Sequence, residues 1–97
     1  MHGNTMPNDE LNALRADIDA VDARIIDLLA QRFRITERVG DLKASSALAP
    51  VDAVREAAQM ARYHALATAA GIAPAVVTAV FRTIIDEVVR EHARRRS

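Results

Sequence analysis

From Leu11 onward the chain repeats an apolar residue every three or four positions: Leu11, Leu14, Ile18, Val21, Ile25, Leu28, then Arg32, then Ile35, Val39 and Leu42. Alternating steps of three and four keep one helix face apolar, and ten such positions mark a single long helix with a coiled-coil-like seam. Ile26, Leu29 and Phe33 lie on an adjoining face, so more than one neighbour must cover its middle. Asn8 is placed to cap it, with Pro7 before and Asp9 and Glu10 in the first turn, where acids complement the helix dipole. Gly40 is the one expected weak point. The stretch SSALAP then reads as a loop, with Pro50 ending whatever remains of the helix.

A second helix is expected from an Asp52 N-cap. It carries Val54, Ala57, Ala58, Ala61, Ala65 and Leu66, and Gly71 stops it at the position after the last turn. Pro74 suits the first turn of a third helix, which presents Val77, Phe81, Ile84 and Val88 and ends in a basic tail. No period-two alternation, repeat or low-complexity linker interrupts this pattern. The fold class is all-α: three helices with a long first one, residues 8–97 forming a single domain behind a disordered tail at 1–7.

Length turns the pattern into an argument about assembly. The first helix covers about 36 residues, roughly 54 Å at 1.5 Å per residue. A compact monomer of 97 residues is only about 30–35 Å across. The helix outruns any globule its own chain can build, and its apolar seam continues along the whole length. A symmetric dimer is the simplest cover.

Composition narrows the chemistry. Hydrophobic residues make up 51% but aromatics only 3%, which suits close-packed helices rather than sheets. Thirteen acids balance thirteen bases, so any cationic site is local, and no global field argues for nucleic acid or a membrane surface. There is no cysteine, hence no disulfide, thiolate metal site or Cys nucleophile. The N-terminus lacks an apolar signal core and no run approaches the ~20 residues that cross a bilayer, so a cytoplasmic location is expected. His2, His64 and His92 lack metal-ligand spacing, and no metal or cofactor is expected. Arg94, Arg95 and Arg96 read as solvating the last helix end rather than binding nucleic acid.

Arg32 breaks the pattern because it occupies a core position of an apolar seam. A guanidinium there needs an anion of fixed geometry: either an acid of this assembly or a ligand carboxylate held by a bidentate fork. Arg15 and Lys43 flank the same seam, where each, taken singly, reads as a snorkelling surface cation. Arg32 and Lys43 are eleven residues apart, about three turns and roughly 16 Å, so they point the same way and can close on one small molecule. Arg15 and Lys43 are 28 apart, about 42 Å, so if both serve one site Arg15 comes from another protomer. Asp52 and Glu56 read locally as a helix cap and an acid pairing with Arg55 or Lys43, and His92 as a hydrogen-bonded residue on the buried face of the third helix.

Taken in order, the strings LNALRADIDAVDARIIDLLAQRF, VGDLKASS, the Asp-x-x-Arg-Glu of VDAVREA and FRTIIDEVV resemble the all-helical class of chorismate mutases, over Leu11 to His92. The resemblance implies an intertwined homodimer of three-helix chains acting on chorismate, a dianion. Arg32 would grip one substrate carboxylate, and Arg15 of the other chain the second. Lys43 would donate to the ether oxygen of the breaking bond. Arg55 belongs to the same polar site, and Asp52 and Glu56 meet the ring hydroxyl and its surroundings. The sequence departs from the family where a Ser is common, here Val88, and where a Gln usually gives the second donor to the ether oxygen, here His92. A neutral imidazole donates one N–H and an imidazolium two. If His92 acts as the cation, turnover falls as pH rises through the histidine range, ordinarily ~6.5.

Two relatives on the same scaffold stay in contention, an isochorismate pyruvate-lyase and a mutase for aminodeoxychorismate, since both share the carboxylate clamps. A non-catalytic helical dimerisation module explains the seam but leaves Arg32 without a purpose.

Overall fold

The computed structural model describes residues 7–49 and 51–95, all of whose regular structure is helical: α1 (Pro7–Ser45), α2 (Ala53–Ala70) and α3 (Pro74–Arg94). The all-α, three-helix architecture agrees with the sequence pattern. None of these helices is long and apolar enough to cross a membrane. Apart from Pro7, the expected N-terminal tail lies outside the described residues, as do Pro50 and Arg96.

α1 begins two residues earlier than the cap reading, at Pro7 rather than Asp9. Pro7 is already helical, so Asn8 sits inside the first turn rather than capping it. Proline fits there because the first helical residue has no intrahelical use for an N–H. The other end is also set differently. The Leu48 N–H donates to the Lys43 carbonyl at 2.9 Å and the Ala47 N–H to Ala44 at 3.4 Å. Ala47 takes a left-handed φ of 56°. These are the paired bonds of a Schellman stop, so the helix is closed at Ser45 by its own carbonyls, upstream of Pro50. The same device closes α2, with glycine where the geometry wants it: Gly71 has φ 73° and Ile72 N–H reaches Ala67 O at 2.9 Å.

The chain divides into two compact units, Met1–Ile35 and Thr36–Ser97. In the first, the seam residues Leu11, Leu14, Ile18, Val21, Ile25 and Leu28 are all exposed, between 42% and 62%. Arg32 differs: it is half-buried, and its Nη1 is shielded from solvent.

In the second unit α2 packs on α3. Tyr63 stacks on Phe81 with ring centroids 4.1 Å apart and 18° between planes, beside the buried Ala67 and Ile85. Such a pair contributes about 0.5–1.5 kcal/mol beyond its buried area. Val77, Phe81, Ile84 and Val88 turn inward as the spacing predicts. The α2 face does not. Val54, Ala57, Ala58, Ala61, Ala65 and Leu66 are exposed, and the inward side carries Glu56, Gln59, Met60, Tyr63 and Ala67. One buried tyrosine removes more apolar area from water than several alanines, and this decides which face turns in.

Gly40 is not a weak point but a contact. It is buried, and a Cβ built on it would lie 2.7 Å from Cδ2 and 2.8 Å from Nε2 of His92. Arg95 donates to the Glu37 carbonyl and to the Asp41 carboxylate, and approaches Glu91 on its own helix. Its side chain is therefore a tether between α3 and the last turns of α1 rather than a cation left to solvate the helix end. Arg94 pairs with Glu87 and Glu91.

Candidate functional site

Where α1 ends and α2 begins, an open cleft of about 390 Å³ is lined by Lys43 and Asp52 together with the apolar Leu48, Ala49, Val51 and Val54. That volume falls in the range, about 300–1,000 Å³, that holds small organic ligands. The local sequence explains the placement. α1 runs unbroken through Gly40, so Lys43 sits on its last turn, half-buried, and the stop at Ala47 folds Leu48 back beneath it. Asp52 is fixed as the α2 N-cap, its Oδ1 accepting from the Arg55 N–H at 3.0 Å. A carboxylate has about four acceptor positions, so capping does not exhaust it. The cleft thus sets an ammonium and a carboxylate against an apolar wall.

Glu56 stands one turn further along α2. Its partner is neither Arg55 nor Lys43 but Arg82 of α3, whose Nη1 donates to Glu56 Oε1 at 2.9 Å and to Asp86 Oδ1 at 3.3 Å. Those two bonds, Glu56 first, raise the Arg82 pKa above its ordinary value. Local pairing lost because α3 brings a guanidinium already oriented by Asp86 one turn away. Arg82 was not singled out from the sequence. The Arg82–Asp86 spacing of four was legible as a helix-surface pair, but its reach across to Glu56 was not.

His92 is 5% exposed, and its Nε2 lies 2.9 Å from the Thr36 carbonyl oxygen. Val88 lies half-buried one turn earlier. Arg55 is exposed on the first turn of α2. In the other unit Arg15 is exposed on α1, and Arg32 is half-buried as described. Of the residues singled out, then, Lys43 and Asp52 share the cleft, Glu56 is held by Arg82, and His92 is held by α1.

Near the end of α3 the acids and bases organise themselves. Arg90 and Arg94 both bond Glu87, which lowers its carboxyl pKa, Arg90 contributing most. Arg94 is raised in turn by Glu91 first and then Glu87.

The chorismate mutase type II family matches residues 14–93. The T-protein of Enterobacter agglomerans is 37% identical over 78 residues, which make up 80% of this chain but 21% of that protein. The 4-amino-4-deoxychorismate mutase of Streptomyces pristinaespiralis is 34% identical over 88 residues, 91% of this chain and 68% of that protein.

Proposed function

The chain belongs to the chorismate mutase type II family, and on that premise we propose that it converts chorismate to prephenate as a homodimer whose shared helical seam cages the dianion. The observation that carries the reading is the cleft that joins Lys43 and Asp52 at the junction of α1 and α2. The rearrangement breaks an ether C–O bond while forming a C–C bond within one molecule, with no net proton or electron exchanged. It requires a substrate held in its compact conformer and donors aimed at charge growing on the ether oxygen. Conformational restraint is worth up to roughly 7–11 kcal/mol in favourable cases. A fixed donor to a developing oxyanion adds about 2.7–4 kcal/mol. Lys43 is that donor. Arg32 holds one carboxylate, Arg15 of the second protomer holds the other, Arg55 completes the polar wall, and Asp52 and Glu56 meet the ring hydroxyl. Val88 fills the site wall, and His92 stands where the second donor to the ether oxygen belongs.

The exposed seam of α1 supports the dimer, since six large aliphatic side chains in a row at 42–62% exposure need a cover. A partner's seam supplies one of matching pattern. A complementation experiment tests both the assembly and the shared site. Arg15→Ala and Arg32→Ala proteins, each inactive alone, are unfolded together, refolded 1:1 and assayed for loss of chorismate. Mixed dimers carry one intact site, so about a quarter of wild-type activity returns. No recovery would place both arginines in a site built by one chain.

A second reading takes 4-amino-4-deoxychorismate as substrate, because the relative named for that reaction aligns with 91% of the chain. Against it stands the Glu56–Arg82 pair at 2.9 Å. A carboxylate already offset by a guanidinium suits a neutral hydroxyl better than an ammonium. Separate incubations with the two substrates and with isochorismate, followed by product separation, rank the three.

A further inference from the structure

α3 turns a cation, Arg82, toward a residue of the proposed site on α2. Its Nη1 donates to Glu56 Oε1 at 2.9 Å and to Asp86 Oδ1, one turn along α3, at 3.3 Å. Packing holds this group in place. Tyr63 stands two turns beyond Glu56 on the same inward face of α2, and it stacks on Phe81, the residue before Arg82. Gln59, between Glu56 and Tyr63, donates its amide N–H to the tyrosine oxygen at 3.2 Å. The Arg82 and Glu56 side chains are 43% and 22% exposed. A pair as open as this does little for folding, because solvent screens it and two long side chains lose freedom. Its geometry suits another use. Arg82 engages Oε1, and among the described residues the Glu56 carboxylate accepts no other bond, so Oε2 keeps acceptor capacity. Glu56 also follows Asp52 by one turn of α2, and Asp52 lines the cleft beside Lys43.

We infer that Arg82 is a positioning residue that sets the choice of substrate: it fixes one oxygen of Glu56, leaves the other for the substituent that distinguishes chorismate from its 4-amino analogue, and offsets the carboxylate charge there. The inference rests on the reading that Glu56 meets that substituent in a mutase site. A hydroxyl needs only a free acceptor. An ammonium must also shed a tightly held water shell, and only net negative charge offsets that cost. Glu56, Arg82 and Asp86 together carry one net negative charge. Arg82→Gln makes the group more negative by one unit, and Asp86→Asn makes it neutral. The two substitutions therefore push the choice of substrate in opposite directions, although each removes a hydrogen bond from the same guanidinium.

The test is kcat/KM on 4-amino-4-deoxychorismate and on chorismate for the wild type, Arg82→Gln, Arg82→Lys and Asp86→Asn, with circular dichroism to check that each is folded. The ratio of the amino substrate to chorismate should rise about three- to tenfold in Arg82→Gln, as expected for one unit of charge a short distance away in a largely aqueous setting. It should fall in Asp86→Asn and stay near the wild-type value in Arg82→Lys, which keeps the charge. A merely structural role would lower both substrates alike, and an unmoved ratio in Arg82→Gln overturns the inference. So does a ratio that moves the same way in Arg82→Gln and Asp86→Asn. If Arg82→Gln does not fold, Asp86→Asn decides alone: a lower ratio supports the inference and an equal or higher one overturns it. Each of these results leaves the mutase standing. Silence of the folded wild type toward both substrates overturns the mutase reading, and the inference with it.

Discussion

Replacing Gly40 with alanine sets two effects against each other. In a helix interior alanine is better than glycine by about 1 kcal/mol, so helix propensity alone expects Gly40→Ala to stabilise. The packing says otherwise. The new Cβ would stand 2.7 Å and 2.8 Å from His92 ring atoms and 3.2 Å from Arg95 Nη1. Arg95 ends in a long flexible chain and can step aside. His92 cannot step aside as easily, being 5% exposed and bonded to Thr36. Moving it forfeits a hydrogen bond worth about 0.5–1.5 kcal/mol and overpacks a closed space at about 1–3 kcal/mol. The net expectation is a loss of about 1–3 kcal/mol, with the melting temperature falling roughly 4–8 °C for each kcal/mol. Urea unfolding at fixed protein concentration measures it. The control is the same substitution in a His92→Ala background, where the ring is gone and Gly40→Ala should stabilise by about 1 kcal/mol. A stabilising Gly40→Ala in the wild-type background would refute the reasoning.

Three further outcomes follow from other parts of the molecule. Lys43→Ala should cut kcat by about a hundred- to a thousandfold while urea unfolding shifts little; near-normal turnover would remove Lys43 from the chemistry. Ala47→Gly should raise stability by about 0.5–1 kcal/mol, because it relieves a left-handed alanine at the α1 stop yet gives back some unfolded-chain entropy; a loss in thermal melting would contradict the stop described. Hydrogen bonds from Arg90 first and then Arg94 hold the folded-state Glu87 carboxyl below the ordinary carboxylate range. Its pairs therefore add stability that is full above that range and lost as pH falls through the lowered one. The melting difference between wild type and Glu87→Gln should accordingly be present at pH 7 and shrink as the solution is acidified through the lowered carboxylate range.

How much of this was legible depends on how far each signal reaches along the chain. The α1 seam was plain because its large aliphatic residues alternate with charge. Gly71 and Pro74 were plain because their backbone chemistry is local. The α2 face was misread since an alanine-rich helix offers weak contrast, and Tyr63 needed Phe81 opposite to win. The α1 stop was hidden because Ala47 adopts a conformation that usually advertises itself as glycine. Nothing local could reveal that His92 lies on Thr36, 56 residues away, that Arg95 holds Asp41, or that Arg82 reaches Glu56. Lys43 and Asp52 could be named as members of one site from the family strings. Their meeting in a single cleft depends on a loop whose path the strings do not specify.

The stack of Tyr63 on Phe81 also makes the molecule its own optical probe. The chain has one tyrosine and no tryptophan, so its intrinsic ultraviolet emission comes from a single ring wedged between the second and third helices. That light reports the opening of this hairpin and comes from no residue of the first 35, whereas circular dichroism sees every helix. Unfolding followed both ways would therefore reveal whether the long arm melts with the hairpin or apart from it.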